Sequence, residues 1–364
     1  MKSAPEKLKV VVSDFHIGKG RYLPNGEKNY LEDFYQDEKF AELLEYYSTG
    51  QYEDAEIELI INGDFFDLLQ VDIMGQVSEK FTERISLEKL DAIKHGHPSI
   101  FESLRTFSQR PKKSISYVIG NHDAPMLWPN VQKMLVEIIG RPIKFYPESY
   151  SFDGVFIAHG HLYEFFNHFN TKEFWYRDPE TEEKMLKLPW GSYFVLQVIL
   201  EGKRQRPYID KVWPYKKFLK WMFFNDFWFF WKALFKPISF WIKNRFNKDR
   251  FRRREFKLSI ARLIESSTHG SVKKIAEEIL MKTNYKIVIF GHVHEYEYRN
   301  LAPNGEYFNT GTWMETIHLS LERFGKSLDR TYVEITYPLG QDGPPRAVLK
   351  KWYGQYHPFE DVAG

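Results

Sequence analysis

A chain of 364 residues, 43% hydrophobic and 27% charged, is long enough to bury a large core. It exceeds a minimal domain, so two domains or one domain with a large insertion are expected. The net charge is only +2, and there is no cysteine, which excludes disulfides and thiolate catalysis and agrees with a reducing compartment.

Residues 1–9 hold three lysines and a proline and lead directly into an apolar run. No signal peptide fits there, so the protein is expected to act in the cytoplasm or at the cytosolic face of a membrane. The run Lys9-Val10-Val11-Val12 predicts a buried strand that ends in Ser13-Asp14-Phe15-His16. Residues 18–30 read as a loop, with Lys19 and Arg21 as solvated charges before they read as phosphate contacts. A helix is expected over 34–47.

A second buried strand, Glu58-Leu59-Ile60-Ile61, breaks at Gly63 into two carboxylates three positions apart, Asp64 and Asp67. Helical patterns follow over 68–94 and 98–109. Ser116-Tyr117-Val118-Ile119 then runs into Gly120-Asn121-His122-Asp123, with a turn and a helix over 131–139 behind it. A hairpin over 149–159 delivers His159-Gly160-His161. An amphipathic helix over 271–282 precedes the run 286–290, which ends in Gly291-His292-Val293-His294. Residues 308–313 read as a strand end and tight turn, 331–337 and 346–353 as closing strands, and the tail as loose.

Five apolar runs thus end in Asp, Asn or His, where side chains leaving a sheet converge. One G-D-x-x-D would be explained as well by an acidic turn, and one histidine by packing; five together define a site. Hard oxygen ligands with imidazoles and no thiolate suit Mn²⁺, Fe or Zn²⁺ and argue against Cu(I) or an iron–sulfur cluster.

In this order the blocks D-x-H, G-D-x-x-D, G-N-H-D, H-G and G-H-x-H resemble the signature of the calcineurin-like metallophosphoesterases, and the resemblance covers residues 8–313. The resemblance implies an α/β fold, a calcineurin-like β-sandwich flanked by helices, with two divalent metal ions on its strand ends. It implies that Asp14, His16, Asp64 and His294 hold one ion, and Asp64, Asn121, His159 and His292 the other. The expected substrate is a phosphate ester, whether phosphomonoester, phosphodiester or diphosphate.

Two cations roughly 3.5–4 Å apart need an anionic bridge, and Asp64 is the natural candidate. They would lower the pKa of a shared water to give a hydroxide nucleophile and would grip phosphate oxygens. His122 follows Asn121 without being spent on a metal. In the family the matching histidine protonates the leaving group or stabilises the phosphoryl oxygen, oriented by a carboxylate at the position of Asp67. The plainer alternative makes His122 a support for a neighbouring ligand. His161 reads as support for the second ion's ligands rather than as a substrate contact.

Between the fourth and fifth blocks the composition changes. From 203 to 254 there are sixteen Lys or Arg against three Asp, with five of the chain's ten tryptophans and ten phenylalanines. Lys220, Asp226, Lys232 and Lys236 leave no uncharged run near the roughly 18–20 residues that cross a bilayer. Pro214 and Pro237 divide the stretch into helices expected over 215–236 and 238–250. The expected organisation is a core over 1–200 and 271–364 with a basic aromatic helical cap inserted over 201–270. Tryptophan, phenylalanine and lysine together suit a helix in the interface of an anionic membrane, over 213–254. A nucleic-acid surface, and a buried cap or dimer interface, are the alternatives.

The cap resembles the lid of the UDP-2,3-diacylglucosamine pyrophosphatase branch, peripheral membrane enzymes that cut a lipid-linked diphosphate. It points to a lipid-linked or membrane-presented substrate. That branch has Gly-Asn-Arg-Asp and His-Gly-Asp where this chain has His122 and His161. The superfamily's nucleases share G-N-H-D, but their DNA-binding regions follow the core instead of interrupting it. Protein phosphatases carry an arginine clamp where this chain has Leu68-Leu69. A non-catalytic scaffold on the same fold is the remaining reading, and the complete ligand set argues against it.

Overall fold

The structure, a computed structural model, describes residues 6–164, 166–168, 173–246, 272–320, 324–338, 343–356 and 358–363. Strands β1 (Lys7–Val12), β2 (Glu56–Asn62), β3 (Lys113–Val118) and β4 (Ile143–Tyr146) are parallel neighbours in one sheet. A second sheet holds β5 (Ser149–Phe152), β6 (Val155–Ala158), β7 (Ile287–Phe290), β8 (Tyr296–Asn300) and β9 (Glu306–Thr310), in the order β8-β9-β7-β6-β5. The chain then returns to the first sheet as β10 (Thr331–Thr336), β11 (Arg346–Trp352) and β12 (Phe359–Ala363), giving the order β12-β11-β10-β1-β2-β3-β4.

Side-chain alternation along each strand builds the layers. Leu8, Val10 and Val12 of β1 and Ile57, Leu59 and Ile61 of β2 pack outward against helices α1 (Asp37–Tyr46), α2 (Glu83–Gly96), α3 (Pro98–Gln109) and α4 (Pro129–Ile139). Val11 and Ile60 point the other way and meet Ile157, Ile289 and Phe308 of the second sheet. The outer face of that sheet is covered by Val272, Ala276 and Leu280 of a later helix, 272–282. The result is a mixed α/β sandwich, helix on sheet on sheet on helix.

Four local expectations need correction. The helix expected over 68–94 begins only at Glu83, because the Thr82 side chain caps it by accepting from Ile85 N. Before it, Asp72 accepts from Gly75 N at 2.8 Å and Ser78 bonds its neighbours, so the chain turns instead. The first helix starts at Asp37 rather than 34, since Glu32 takes the Phe34 N–H. The tail is not loose: β12 pairs antiparallel with β11.

In the cap, α5 (Tyr215–Asn225) follows Pro214, but α6 (Phe227–Arg245) runs through Pro237. The break falls at Asp226 (φ −142°, ψ 53°), where Asn225 Nδ2 takes the Trp221 carbonyl and Arg206 holds the Asp226 carboxylate. Short polar side chains compete with the helix for backbone partners, whereas an internal proline forfeits one N–H. A small core of Ile209, Val212, Phe218, Met222 and Phe229 underlies these helices. A helix over 190–205 precedes them and runs across residue 200, where the inserted cap is expected to begin. The expected helix end 247–250, the cations Lys248, Arg250, Arg252, Arg253 and Arg254, and Ser271 lie outside the described residues. Among the described residues no helix is long and apolar enough to cross a membrane.

Candidate functional site

The carboxyl ends of β1, β2 and β3 meet those of β6 and β7 at one rim of the sandwich. The chain reaches it under backbone strain: Asp14, His16, Asp64, His292 and His294 all have φ between 50° and 71°. These are half of the ten described non-glycine residues in the left-handed region. Backbone bonds hold the conformation, from Asp14 N to Gly63 O (3.1 Å) and from His16 N to Asp64 O (2.9 Å). Gly63 has φ 80°, and a Cβ there would strike the His159 ring; a Cβ on Gly120 would strike Asp64. The glycines of the second and third blocks therefore let strand ends approach each other closely.

The rim brings the candidate ligands into groups whose ligand atoms lie within 4.8 Å of one another. In the first group, Asp14, His16 and His294, the two Nε2 atoms are 3.0 Å apart and Asp14 Oδ1 is 3.4 Å from that of His294. In the second, Asp64, His159 and His292, His159 Nε2 is 3.1 Å from Asp64 Oδ2. His159 Nδ1 donates to the Asn62 carbonyl at 2.9 Å, which aims Nε2 inward at Asp64. Asp64 Oδ2 also lies 3.8 Å from His16 Nε2, so this carboxylate stands between the groups. Asn121 Oδ1 is buried with no hydrogen-bond partner, an acceptor that only a cation or a water would satisfy. This donor set fits two divalent cations.

A third group joins His16, Asp67 and His122. His122 Nδ1 lies 3.0 Å from Asp67 Oδ1, and His16 Nδ1 lies 3.7 Å from Asp67 Oδ2. Burial disfavours the His122 cation, but the carboxylates of Asp67 and Asp64 more than offset it and raise the pKa to about 9. Burial likewise works against Asp67 ionising, yet His122 holds it below the usual carboxylate range. His159 rises to about 10 against burial, through Asp64 and Asp14. Asp123 is pushed up to about 7 by burial and by Asp64, and it staples the third block to the second by accepting from Tyr117 Oη (2.6 Å) and Phe65 N (3.1 Å). His161 is buried beside His159 and His292, and burial followed by their charges pushes it well below its ordinary value.

Lys19 pairs with Asp72 at 2.7 Å and Arg21 lies over the Tyr35 ring. The turn after β9 braces the rim, with Asn309 Nδ2 donating to Gly291 O and Thr312 Oγ1 to Asp14 O. Sequence reasoning missed Glu164, whose Oε2 is 2.9 Å from His292 Nε2. Its only signal is an acidic residue five positions after His159, which no pattern singles out.

A profile of the calcineurin-like phosphoesterases matches residues 9–296. No curated protein matches the chain. Among solved structures, a dimetal phosphatase from Danio rerio aligns at 10% identity and TM-score 0.38, covering 99% of both chains. An uncharacterized Streptococcus pneumoniae protein described as a phosphoesterase aligns at 10% identity and TM-score 0.30, covering 98% of this chain and 97% of the other. Vacuolar Protein Sorting 29 from Cryptosporidium parvum aligns at 12% identity and TM-score 0.29, with 96% and 98% covered. From the profile match over most of its length, the chain belongs to the calcineurin-like phosphoesterases and is a metal-dependent phosphoric ester hydrolase.

Proposed function

We propose that Asp14, His16, Asp64 and His294 hold one divalent cation, and Asp64, Asn121, His159 and His292 a second, with Asp64 shared. Mn²⁺ suits this oxygen–imidazole set, with Fe or Zn²⁺ as alternatives. When bound, the pair would supply a hydroxide nucleophile near neutral pH and neutralise charge on the phosphoryl oxygens. The chain's own part is proton transfer. Asp67 accepts from His122 Nδ1, which fixes the tautomer and leaves Nε2 to give its proton to the departing oxygen. The observation that carries this reading is Asp64 standing between two ligand groups, with its Oδ1 taking the backbone N–H of His122 at 2.7 Å. The same carboxylate thus fixes the place of both the cations and the proton donor.

The substrate is a phosphomonoester, phosphodiester or diphosphate, lipid-linked or presented at a membrane, and 201–270 is an inserted cap that docks on the anionic cytosolic face. In support, Phe224 and Trp228 are 79% and 84% exposed, and Lys217, Lys220, Lys232, Lys243 and Arg245 of the same two helices are exposed as well. Aromatics at headgroup depth with cations facing lipid phosphate is the arrangement that an interfacial helix requires.

The test of the site is His122→Ala. It should retain both metals and slow turnover roughly 10²–10⁴-fold, with the smaller loss for leaving groups that need no proton. An equal loss for p-nitrophenyl and phenyl esters would assign His122 to phosphate binding instead.

A further inference from the structure

The carboxylate that steadies His122 is itself gripped. Asp67 Oδ1 accepts from the backbone N of Gln70 at 2.8 Å, and Oδ2 from Gln70 Nε2 at 2.6 Å. The other end of that amide, Oε1, faces Lys203 Nζ at 3.4 Å. Lys203 lies on the helix that enters the cap, and its side chain is fully buried. It is held by Asp33 of the sandwich (2.6 Å) and by Asp210 of the cap base (2.9 Å), while Lys211 takes the second oxygen of Asp33 at 2.7 Å. Two cations and two carboxylates therefore balance, with Lys203, Asp33 and Lys211 buried and Asp210 at the partly exposed edge.

A network like this contributes little net stability, but it tolerates few geometries, because displacing one member leaves a buried charge without a partner. Lys203 is thus fixed by the sandwich and the cap together. Its position has a chemical reader in Gln70. The two ends of an amide are alike in size and opposite in polarity, so only their partners decide which way it points. An ammonium at one end and a carboxylate at the other admit a single orientation. Without Lys203 the amide oxygen loses its cation, and the side chain is held at the Asp67 end alone. Asp67 would then be free to turn toward His16.

We propose that Gln70 is a positioning residue that couples the His122–Asp67 pair to the seating of the cap through Lys203. The coupling rests on His122 acting as proton donor, as argued above. The chain of contacts runs from the cap base through Lys203, Gln70 and Asp67 to the imidazole, each link a polar contact, and its three middle members are buried.

The experiment compares Gln70→Met, the double variant Lys203→Met/Asp210→Asn, and His122→Ala. The double variant leaves Asp33 and Lys211 as a neutral pair, so it keeps the question answerable if Gln70→Met does not fold. Turnover is measured on phosphate esters of p-nitrophenol and phenol, alongside metal content. Gln70→Met and the double variant should each keep two metals and lose roughly tenfold more on the phenyl ester than on the p-nitrophenyl ester, a fraction of the full general-acid effect. Combining them should add little, since both remove one linkage. A second readout needs no metal: the downfield ring N–H resonance of His122, assigned by its loss in His122→Ala, should move in both variants. Equal losses on the two esters, or an unmoved resonance, overturn the coupling when His122→Ala itself discriminates the esters. If His122→Ala does not discriminate while the resonance moves, the donor role fails and the linkage stands.

Discussion

The imidazole of His292 and the carboxylate of Glu164 share a short contact, Nε2 to Oε2 at 2.9 Å. With Nε2 engaged, Nδ1 is the nitrogen left to face a cation, and the carboxylate fixes how the ring is turned. Burial works against ionisation of Glu164, but the His292 contact keeps its pKa below the ordinary value. Glu164→Gln should therefore leave the fold intact and weaken the second cation's binding about 10–100-fold, with the first cation little changed. Calorimetric titration with Mn²⁺ resolves the two sites. Unaltered affinity at both would reduce Glu164 to a surface contact.

Asp64 faces His159 at 3.1 Å and His16 at 3.8 Å. Asp64→Asn removes the charge shared by both proposed sites, so metal content should drop at both and hydrolysis of bis-p-nitrophenyl phosphate should be abolished. A fully active variant with two bound metals would remove the bridging role.

His97 supplies a pH test away from the metals. Its Nδ1 is 2.7 Å from Asp37 Oδ1 and its Nε2 3.1 Å from Glu32 Oε2. Burial lowers its pKa, but these carboxylates more than reverse that and raise it to about 9. Because the folded value exceeds the unfolded one, the stabilisation is complete below about pH 6.5 and is lost as pH rises through about 9. The contribution is on the order of 3 kcal/mol. Urea midpoints should fall between about pH 6.5 and 9, and His97→Gln should flatten that slope. A variant that keeps the wild-type slope would assign the pH dependence elsewhere.

The exposed cap aromatics make a direct membrane test. Phe224→Ser/Trp228→Ser removes the two most exposed rings of the described cap without touching its small core. The wild type should sediment with anionic vesicles and lose this only partly in salt, because charge is screened over a Debye length and apolar contact is not. The double variant should stay in the supernatant and still hydrolyse a soluble diester. Steep salt loss as a power law would point to nucleic acid.

The convergence of the candidate ligands on one rim was legible because each apolar run stops at the residues that leave the sheet, so local pattern and tertiary position coincide. The α/β sandwich was implied by the family resemblance that the motifs at the ends of these runs carry. Glu164, Gln70 and Lys203 were not legible, since what makes them matter is a partner far along the chain: Gln70 and Lys203 are separated by 133 positions. The tail strand Phe359–Ala363 shows mostly exposed residues and gains its conformation from the edge of β11 beside it. Similarly, Pro214 and Pro237 look alike in sequence, but the chain broke at Asp226, where Asn225 bonds the Trp221 carbonyl and Arg206 holds the Asp226 carboxylate.

The left-handed backbone at Asp14, His16, Asp64, His292 and His294 has an evolutionary consequence. Each costs roughly 1–2 kcal/mol relative to an ordinary conformation, and selection for stability alone would replace it with glycine. A descendant released from hydrolysis would be expected to erode at these five positions before its sheets changed, and its metal-free form would melt at a higher temperature than this one.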